Sequence, residues 1–438
     1  MLAPVTNCNL DFRPQAANFN PVSFAIELSS LPLKALLERA RSANRQSVLA
    51  SLASNRLRLE DFAHLISPAA ADHLEALARR AHSITTQRFG RVVRLFAPIY
   101  LSNECVNNCA YCGFARSNAI RRVTLTLEEV LQEARALKAQ GFRNLLLVAS
   151  EHPKLAGVDY LESCVRMLHE EIPSLSLEVG ALDTPDYQRL VAAGAEGLVI
   201  YQETYDRAVY AELHRAGPKR NFDWRLGAPE RAYAAGFRRL GIGALLGLND
   251  WRSEAICVAA HAAHLFRNCW RSYLTISVPR LRPSAGHFRP RFPVTDRELA
   301  QLVCAFRIFL PDVGIVLSTR EAATLRDGLI PLGITLMSAG SHTEPGGYTG
   351  AGHEHVHAAD EFPDLDDSDQ TARTTQAKNT GTDATGQFDV ADNRSPAEVA
   401  DRIRQLGYEP VWKDWDFAFG EEPTVESAQV NRAPAFSP

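Results

Sequence analysis

The chain contains the stretch Leu145-Leu146-Leu147-Val148-Ala149, five consecutive apolar residues with no polar residue between them. Strands that are buried on both faces have this continuous pattern, and they occur mainly in parallel sheets covered by helices. A helix is predicted directly before it, because residues 126–129 (TLEE) form a capping box and Gly141 provides a helix end. The stretch therefore predicts a helix followed by a buried parallel strand.

Strand and helix patterns alternate over most of the chain. Residues 184–186 (TPD) and 295–298 (TDRE) provide two further helix starts. We predict eight strands, at residues 92–98, 143–149, 175–180, 197–201, 238–243, 272–278, 313–318 and 332–337. Eight strands with intervening helices predict an α/β fold, a complete or partial (β/α)8 TIM-type barrel with its site at the carboxyl ends of the strands.

Three regions flank the predicted barrel, which spans residues 85–347. Residues 31–82 have helical apolar spacing and no strand pattern, so we predict that residues 1–84 form an N-terminal helical extension. Residues 351–386 are polar and nearly free of large apolar side chains, which predicts a disordered insertion over residues 348–386. Residues 387–438 form a C-terminal segment, and its closely spaced Trp412 and Trp415 indicate docking onto the barrel or onto a partner.

The predicted insertion contains a histidine motif. His353, His355 and His357 alternate with other residues, a spacing that could bind a metal ion. In a solvated linker such histidines more often have no ligand.

Composition excludes several classes of protein. Of the 438 residues, 46% are hydrophobic and 22% are charged, which is ordinary for a soluble globular protein. A net charge of −4 gives no basic surface that would indicate nucleic acid as a partner. No apolar run is long enough to span a membrane, and the N-terminus lacks a signal-peptide pattern, so we expect a cytoplasmic protein with reduced cysteines.

The cysteine loop, residues 105–112, carries Cys105, Cys109 and Cys112 directly after the first predicted strand. Three thiolates on one loop fit three corners of a [4Fe–4S] cluster and leave one iron open to a substrate or second cofactor. The alternative is a structural zinc site in a non-catalytic scaffold, which needs four ligands and usually has two ligand pairs. The remaining cysteines are scattered singly, at Cys8, Cys164, Cys257, Cys269 and Cys304.

This cysteine spacing, with Tyr111 before the last cysteine, resembles the radical S-adenosylmethionine (SAM) superfamily. A longer similarity covers roughly residues 85–347 and 387–416 and resembles the 2-iminoacetate synthase family, tyrosine lyases of thiamine thiazole biosynthesis. The similar stretches are residues 201–205 (YQETY), 217–219 (GPK), 241–248 (GIGALLGL), 277–283 (SVPRLRP), 317–321 (LSTRE), 337–341 (MSAGS) and 410–415 (PVWKDW).

The resemblance implies a carbon–carbon lyase reaction. SAM would bind the open iron, and one electron from the cluster would give methionine and a 5′-deoxyadenosyl radical. The radical would take hydrogen from L-tyrosine, whose Cα–Cβ bond then cleaves to 2-iminoacetate (dehydroglycine) and p-cresol. Thiazole synthase as a protein partner and a ferredoxin or flavodoxin as electron donor are implied by the family.

Cofactor contacts also follow from the resemblance. Cys105, Cys109 and Cys112 would bind the cluster, and Tyr111 would flank the adenine of SAM or simply pack within the loop. Ser150 and Glu151 occupy the position of a GGE-like turn that contacts the methionine amino group, although the glycines are missing here.

Two carboxylates on the strands are further candidates. Glu178 lies in an apolar strand, where an ionised side chain is costly unless paired, so we expect a ribose contact or a structural salt bridge. Gln202 and Glu203 end the fourth predicted strand and would orient SAM or tyrosine, with Glu203 a catalytic candidate; the alternative is hydrogen bonding between loops.

A tyrosine substrate has a carboxylate, for which a bidentate arginine is the natural partner. Arg280, Arg282 and Arg320 follow predicted strands and are the candidates, although each could instead form a surface salt bridge. Ser318 could add a hydroxyl contact.

Two related activities remain as alternatives. A tryptophan-cleaving relative would share the barrel chemistry and differ in pocket details. The tyrosine lyase of hydrogenase maturation (HydG) has a second cysteine-bound cluster near its C-terminus, and this sequence has no cysteine after Cys304, which argues against that function.

Overall fold

The computed structural model describes residues 23–358 and 383–412 of the chain. Its strands are β1 (Val92–Ser102), β2 (Arg121–Arg122), β3 (Asn144–Ala149), β4 (Ser174–Glu178), β5 (Gly197–Val199), β6 (Arg239–Gly243), β7 (Tyr273–Ser277), β8 (Gly314–Leu317), β9 (Leu336–Ser338), β10 (His357–Ala358) and β11 (Glu409–Val411). Strands β1 and β3–β9 pair in parallel in this order, and β9 pairs back onto β1. The predicted (β/α)8 barrel is therefore confirmed, and it is closed.

The strand predictions hold because the barrel strands are buried. All six residues of β3 are buried, as its unbroken apolar run predicted. Each of the other predicted strands contains or overlaps an observed strand. The last strand begins later than predicted, because Ile330–Leu332 form a 3-10 helix before β9 starts at Leu336.

Sixteen α-helices lie in the described part of the chain. They are α1 (Phe24–Ser30), α2 (Leu33–Ser42), α3 (Arg45–Ala53), α4 (Leu59–Leu65), α5 (Pro68–Ala71), α6 (Leu74–Phe89), α7 (Leu127–Ala139), α8 (Val158–His169), α9 (Thr184–Ala193), α10 (Arg207–Leu213), α11 (Phe222–Leu226), α12 (Ala228–Ala235), α13 (Trp251–Asn268), α14 (Asp296–Phe309), α15 (Ala323–Leu329) and α16 (Pro396–Gln405). No helix among these has the length and apolar character that a membrane crossing requires.

Local sequence explains where several helices begin. Thr126, Thr295 and Ser395 each accept a hydrogen bond from the backbone of a glutamate three residues later, and that glutamate binds back to the cap. These reciprocal bonds satisfy amide groups that a helix start leaves without a partner. The main core lies between the barrel strands and the surrounding helices.

Helices α1–α6 occupy the described part of the predicted N-terminal extension. Helix α6 continues to Phe89, past residue 84, where the extension was predicted to end. Helix α6 packs on α14, and α1 packs on α13. Phe24 stacks on His261 with 4.2 Å between ring centroids, while His264 lies between Glu27 (2.7 Å) and Glu230 (2.9 Å). The extension thus covers the outside of the barrel. Residues 1–22 lie outside the described residues.

The C-terminal segment docks on the barrel, which was one of the two expected outcomes. Strand β11 pairs in parallel with the first residues of β1, Val92–Arg94. Trp412 packs edge-to-face on Phe142 with 5.0 Å between ring centroids. Trp415 lies outside the described residues.

The predicted disorder of residues 348–386 is wrong at both ends of that segment. His353–His355 form a 3-10 helix, and β10 pairs with β2. The three histidines each face a carboxylate: His353 with Asp383 (3.4 Å), His355 with Glu129 (3.3 Å) and His357 with Glu104 (2.7 Å). Two of these pairs join the insertion to the barrel region, and the pair of His353 with Asp383 joins its two ends. A count of apolar residues does not register such polar contacts. Residues 359–382 lie outside the described residues.

Candidate active site

The cysteine loop follows the carboxyl end of β1 and is held by backbone hydrogen bonds on two sides. Val106 N donates to Glu151 O (2.9 Å), which joins the loop to the residues after β3. Asn108 N donates to Ala216 O (3.1 Å), and Ala110 N donates to Leu213 O (2.9 Å). The loop is therefore fixed between the β3 exit and the end of α10.

Arg122 fixes the far end of the loop and is a site residue that the sequence analysis missed. Its buried guanidinium donates to the carbonyl oxygens of Asn103 (2.6 Å), Phe114 (3.2 Å) and Ala115 (2.9 Å). These carbonyls lie before and after the three cysteines, so one side chain closes the loop. Its partners lie 7 to 19 positions away in the sequence, farther than the local patterns used for prediction extend.

The three thiols lie in a confined environment. Cys109 is only 4% exposed, whereas Cys105 and Cys112 are half-buried. Burial, followed by the neighbouring Cys112, raises the pKa of the Cys105 thiol to about 11, and burial raises the pKa of Cys109 well above its ordinary value. Thiolates therefore need a compensating positive charge here, which iron ions provide.

The donor set fits a cluster with one open iron. The other described cysteines, Cys164, Cys257, Cys269 and Cys304, are buried in or beside the outer helices α8, α13 and α14. Within residues 23–358 and 383–412, no three His, Cys, Asp or Glu side chains are arranged around a single metal ion. A [4Fe–4S] cluster binds each cysteine to a different iron, which three cysteines on one loop would satisfy.

Tyr111 is anchored by a histidine that the sequence analysis did not single out. The Tyr111 hydroxyl lies 2.8 Å from His214 Nε2, and His214 Nδ1 lies 2.8 Å from the carbonyl oxygen of Tyr210. Burial and the nearby Lys219 lower the pKa of His214 to about 3, so the ring is neutral. Because a carbonyl only accepts, Nδ1 carries the proton and the Tyr111 hydroxyl donates to Nε2.

Glu203 is the centre of a buried ion network. Its carboxylate lies 2.7 Å from Lys219 Nζ and 3.6 Å from Arg225 Nη2. Burial alone would raise the pKa of Glu203, but Lys219 and Arg225 hold it below its ordinary value. Glu203 has a φ of 71°, which is unfavourable for a non-glycine residue and typical of functional sites. The GPK stretch was the sequence signal for Lys219.

Glu151 is connected to the cysteine loop through Asn107. Asn107 Nδ2 donates to Glu151 Oε2 (2.7 Å), and Asn107 Oδ1 accepts from the Lys219 backbone amide (2.9 Å). Gly180 makes room for this carboxylate, since a Cβ there would lie 2.7 Å from Glu151 Cδ. Ser150 is held by its backbone amide, which donates to Ser102 O (3.1 Å).

Glu178 is a carboxylate without an ion-pair partner in the described part of the chain, so the salt-bridge alternative has no support there. Burial raises its pKa to about 7, although Arg320 opposes the shift. Gln202, by contrast, is 3% exposed and its amide donates to Phe222 O (3.3 Å), the contact expected from loop-to-loop bonding.

The three candidate arginines have different surroundings. Arg280 binds the Glu321 carboxylate, Asp296 (2.8 Å) and the carbonyl oxygen of Val294 (2.9 Å), so protein groups already occupy its guanidinium. Arg282 has a buried Nε without a hydrogen-bond partner in the described residues. Arg320 lies with its guanidinium carbon 3.4 Å from the ring centroid of Phe388.

The positive charge of Arg320 partly offsets the effect of burial, which raises the pKa values of Glu178 and Tyr201. Ser318 Oγ accepts from the Arg320 backbone amide (3.4 Å). Of the predicted substrate residues, the structure therefore favours Arg320 and Arg282 over Arg280.

The mouth segment, residues 383–392, crosses the carboxyl ends of several strands. Its backbone amides at Thr385, Gln387, Asp389 and Ala391 donate to the carbonyl oxygens of Arg121, Thr343, Pro283 and Thr319, respectively, at 2.9–3.0 Å. Arg121 lies in β2, and the other three acceptors follow β9, β7 and β8, respectively. The segment therefore covers one side of the barrel mouth.

Comparison with known proteins agrees with this architecture. The family model described as the radical SAM superfamily matches residues 99–257, and the Biotin and Thiamin Synthesis associated domain matches residues 277–409. Among solved structures, the crystal structure of HydG, a maturase of the [FeFe]-hydrogenase, is similar with a TM-score of 0.78 and 31% identity, covering 88% of this chain and 81% of that chain. Methylornithine synthase (PylB) shares the fold, with a TM-score of 0.63 and 22% identity over 83% of this chain and 97% of that chain.

Curated sequences give a closer match. The 2-iminoacetate synthase of Escherichia coli (strain K12) is 41% identical over 371 residues, which cover 84% of this chain and 90% of the relative. The enzyme of the same name from Salmonella typhimurium is 40% identical over the same shares. The chain therefore belongs to the 2-iminoacetate synthase family within the radical SAM superfamily.

Proposed function

We propose that the chain is a lyase that cleaves the Cα–Cβ bond of L-tyrosine to 2-iminoacetate and p-cresol, for thiazole formation in thiamine biosynthesis. The observation that carries this proposal is the position of the cysteine loop. It lies at the carboxyl end of β1. Lys219 joins it to Glu203, because the Lys219 backbone amide donates to Asn107 of the loop and Lys219 Nζ lies 2.7 Å from the Glu203 carboxylate. The family relationship supports tyrosine as the substrate.

Cys105, Cys109 and Cys112 would hold a [4Fe–4S] cluster, and the cluster and SAM, when bound, supply a 5′-deoxyadenosyl radical by one-electron cleavage of the sulfonium. The chain contributes orientation and charge. Glu151, oriented by Asn107, provides a carboxylate for the SAM amino group. Glu178 provides an acceptor for ribose hydroxyls.

The substrate carboxylate requires a cation that has no other anionic partner. In the described part of the chain Arg320 forms no ion pair, whereas Arg280 is engaged by Glu321 and Asp296. Phe388 supports the Arg320 guanidinium from one face, which leaves its planar fork for a carboxylate. Arg282, whose Nε has no hydrogen-bond partner in the described residues, is the second candidate cation.

Water must be kept from the product, because an imine hydrolyses readily. The mouth segment covers part of the barrel opening and limits solvent access. We propose that thiazole synthase receives 2-iminoacetate directly and that a ferredoxin or flavodoxin supplies the electron. Such a reducing system and reduced thiols fit a cytoplasmic location.

Product analysis under anaerobic conditions tests the proposal. Reconstituted protein with a reductant, SAM and L-tyrosine should release 5′-deoxyadenosine and p-cresol. Formation of deoxyadenosine with L-tryptophan but not with L-tyrosine would assign the chain to the tryptophan-cleaving alternative. A colourless, folded, zinc-loaded protein that fails to cleave SAM would instead support a scaffold.

A further inference from the structure

The mouth segment places the Gln387 amide beside a cluster ligand. Gln387 Nε2 lies 3.8 Å from Cys112 Sγ, within reach for a nitrogen donor and a sulfur acceptor. Gln387 Oε1 accepts a hydrogen bond from the Tyr100 hydroxyl at 2.9 Å. The amide therefore bridges β1 and the last cysteine of the loop.

The backbone around Gln387 is fixed independently of its side chain. Gln387 N donates to Thr343 O (2.9 Å), and Thr343 Oγ1 donates to Phe388 O (2.9 Å). A Cβ on Gly113 would lie 2.3 Å from Gln387 O, so a glycine after Cys112 is required for this close approach. The mouth segment and the cysteine loop therefore pack closely against each other at Gly113 and Gln387.

Tyr100 determines which end of the amide faces sulfur. A phenol is protonated at neutral pH, so the Tyr100 hydroxyl acts as a donor. A donor hydroxyl binds the amide oxygen, and this directs the NH2 group toward Cys112. An amide oxygen in that place would instead repel a thiolate.

We propose that Gln387 is a positioning residue that donates a hydrogen bond to the Cys112 thiolate and raises the reduction potential of the bound cluster. The inference rests on the cluster of the proposed function. A donor beside the sulfur stabilises the more negative, reduced cluster, and hydrogen bonds to sulfur are among the features that set these potentials. Gln387 itself transfers no electron or proton.

A redox titration of the reconstituted protein, followed by electron paramagnetic resonance, tests the assignment. Gln387→Met keeps the side-chain length and removes the donor. At a fixed ambient potential, its ratio of reduced to oxidised cluster should fall roughly threefold to tenfold, where tenfold corresponds to about 59 mV for one electron. Gln387→Glu, which puts a carboxylate beside the sulfur, should lower the ratio further.

Asp389→Asn is the matched control, because Asp389 is exposed in the same segment. It should leave both the potential and the iron content at the wild-type values. Tyr100→Phe keeps the Gln387 amide but removes the hydroxyl that binds the amide oxygen. It should therefore lower the reduction potential, as Gln387→Met does, but by a smaller amount.

Wild-type potentials in Gln387→Met and Tyr100→Phe would overturn the assignment, as would an equal shift in Asp389→Asn. If Gln387→Met loses its iron, Tyr100→Phe decides the question, and an unchanged potential there rejects the role. A wild-type protein without any [4Fe–4S] signal would reject the proposed function as well, so the two failures are distinguishable.

Discussion

Glu203 and Lys219 form a buried ion pair at the barrel mouth, with 2.7 Å between Oε1 and Nζ and side-chain exposures of 12% and 15%. Lys219 also lies with Nζ 5.7 Å from the centroid of the Tyr111 ring, and its backbone amide donates to Asn107. The pair therefore connects the loop that follows β5 with the cysteine loop.

Neutralising Glu203 should destabilise the protein and abolish turnover. Glu203→Gln leaves Lys219 and Arg225 buried without a counter-charge, and breaking a buried pair typically costs roughly 3 kcal/mol or more in the free energy of unfolding. Chemical denaturation of the protein without cofactors measures this loss. Glu75→Gln is the control, because its pair with Arg79 is exposed, and we expect a change of about 0.5 kcal/mol or less.

Removing one cysteine of the loop should prevent cluster binding. Cys109→Ala deletes one of three ligands. The wild type should contain about four irons per chain after reconstitution, and the variant should contain far fewer. SAM cleavage should disappear with the iron. Cys304→Ala, which changes a buried cysteine in α14, should keep the iron and the activity. Full iron loading of Cys109→Ala would contradict the ligand assignment.

The two arginines Arg320 and Arg280 should respond differently to substitution. Arg320→Ala removes the proposed carboxylate contact and should raise KM for L-tyrosine by about tenfold to a hundredfold, the loss expected for a charged hydrogen bond. Arg320→Lys should give an intermediate KM, because the charge remains and the planar fork is lost. Steady-state kinetics with varied L-tyrosine measures both.

Arg280→Ala should instead reduce stability, because it leaves Glu321, with a side chain only 3% exposed, without its partner. Thermal unfolding should show this loss, with a smaller change in KM than in Arg320→Ala. The reverse pattern would restore Arg280 as the substrate residue.

The pH dependence of stability should reveal Glu178. Burial raises its pKa in the folded state from 4.5 to about 7, so the folded protein holds this proton more tightly than the unfolded chain does. Its contribution to stability is full below about pH 4.5 and is lost as the pH rises through 7. Glu178→Gln removes this loss, so the variant should gain stability relative to the wild type between pH 4.5 and pH 8. Thermal unfolding at a series of pH values measures this difference. If the melting temperatures of the two proteins changed with pH in the same way, the raised pKa of Glu178 would be contradicted.

The barrel could be predicted from the sequence because the patterns that indicate its strands and helices are local. An apolar run such as β3 and a capping box such as Thr126 with Glu129 report their structure within a few residues. The cysteine loop was found for the same reason. Its three ligands lie within eight residues of one another in the sequence.

The supporting residues could not be found in this way, because their partners are distant in the chain. Gln387 and Cys112 are separated by 275 positions, and Glu321 is 41 positions from Arg280. Because the sequence does not show these contacts, Arg280, Arg282 and Arg320 were equivalent candidates for binding the substrate carboxylate. The ends of the insertion were predicted to be disordered for the same reason, because their order depends on pairing with distant residues, as in the His357 contact with Glu104.

The pairing of β11 with β1 has a consequence for biosynthesis. The strand that leads into the cysteine loop cannot complete its hydrogen bonds at Val92–Arg94 until residues 409–411 have left the ribosome. A nascent or truncated chain therefore has an open sheet edge there, which is a site for association with other unfinished chains.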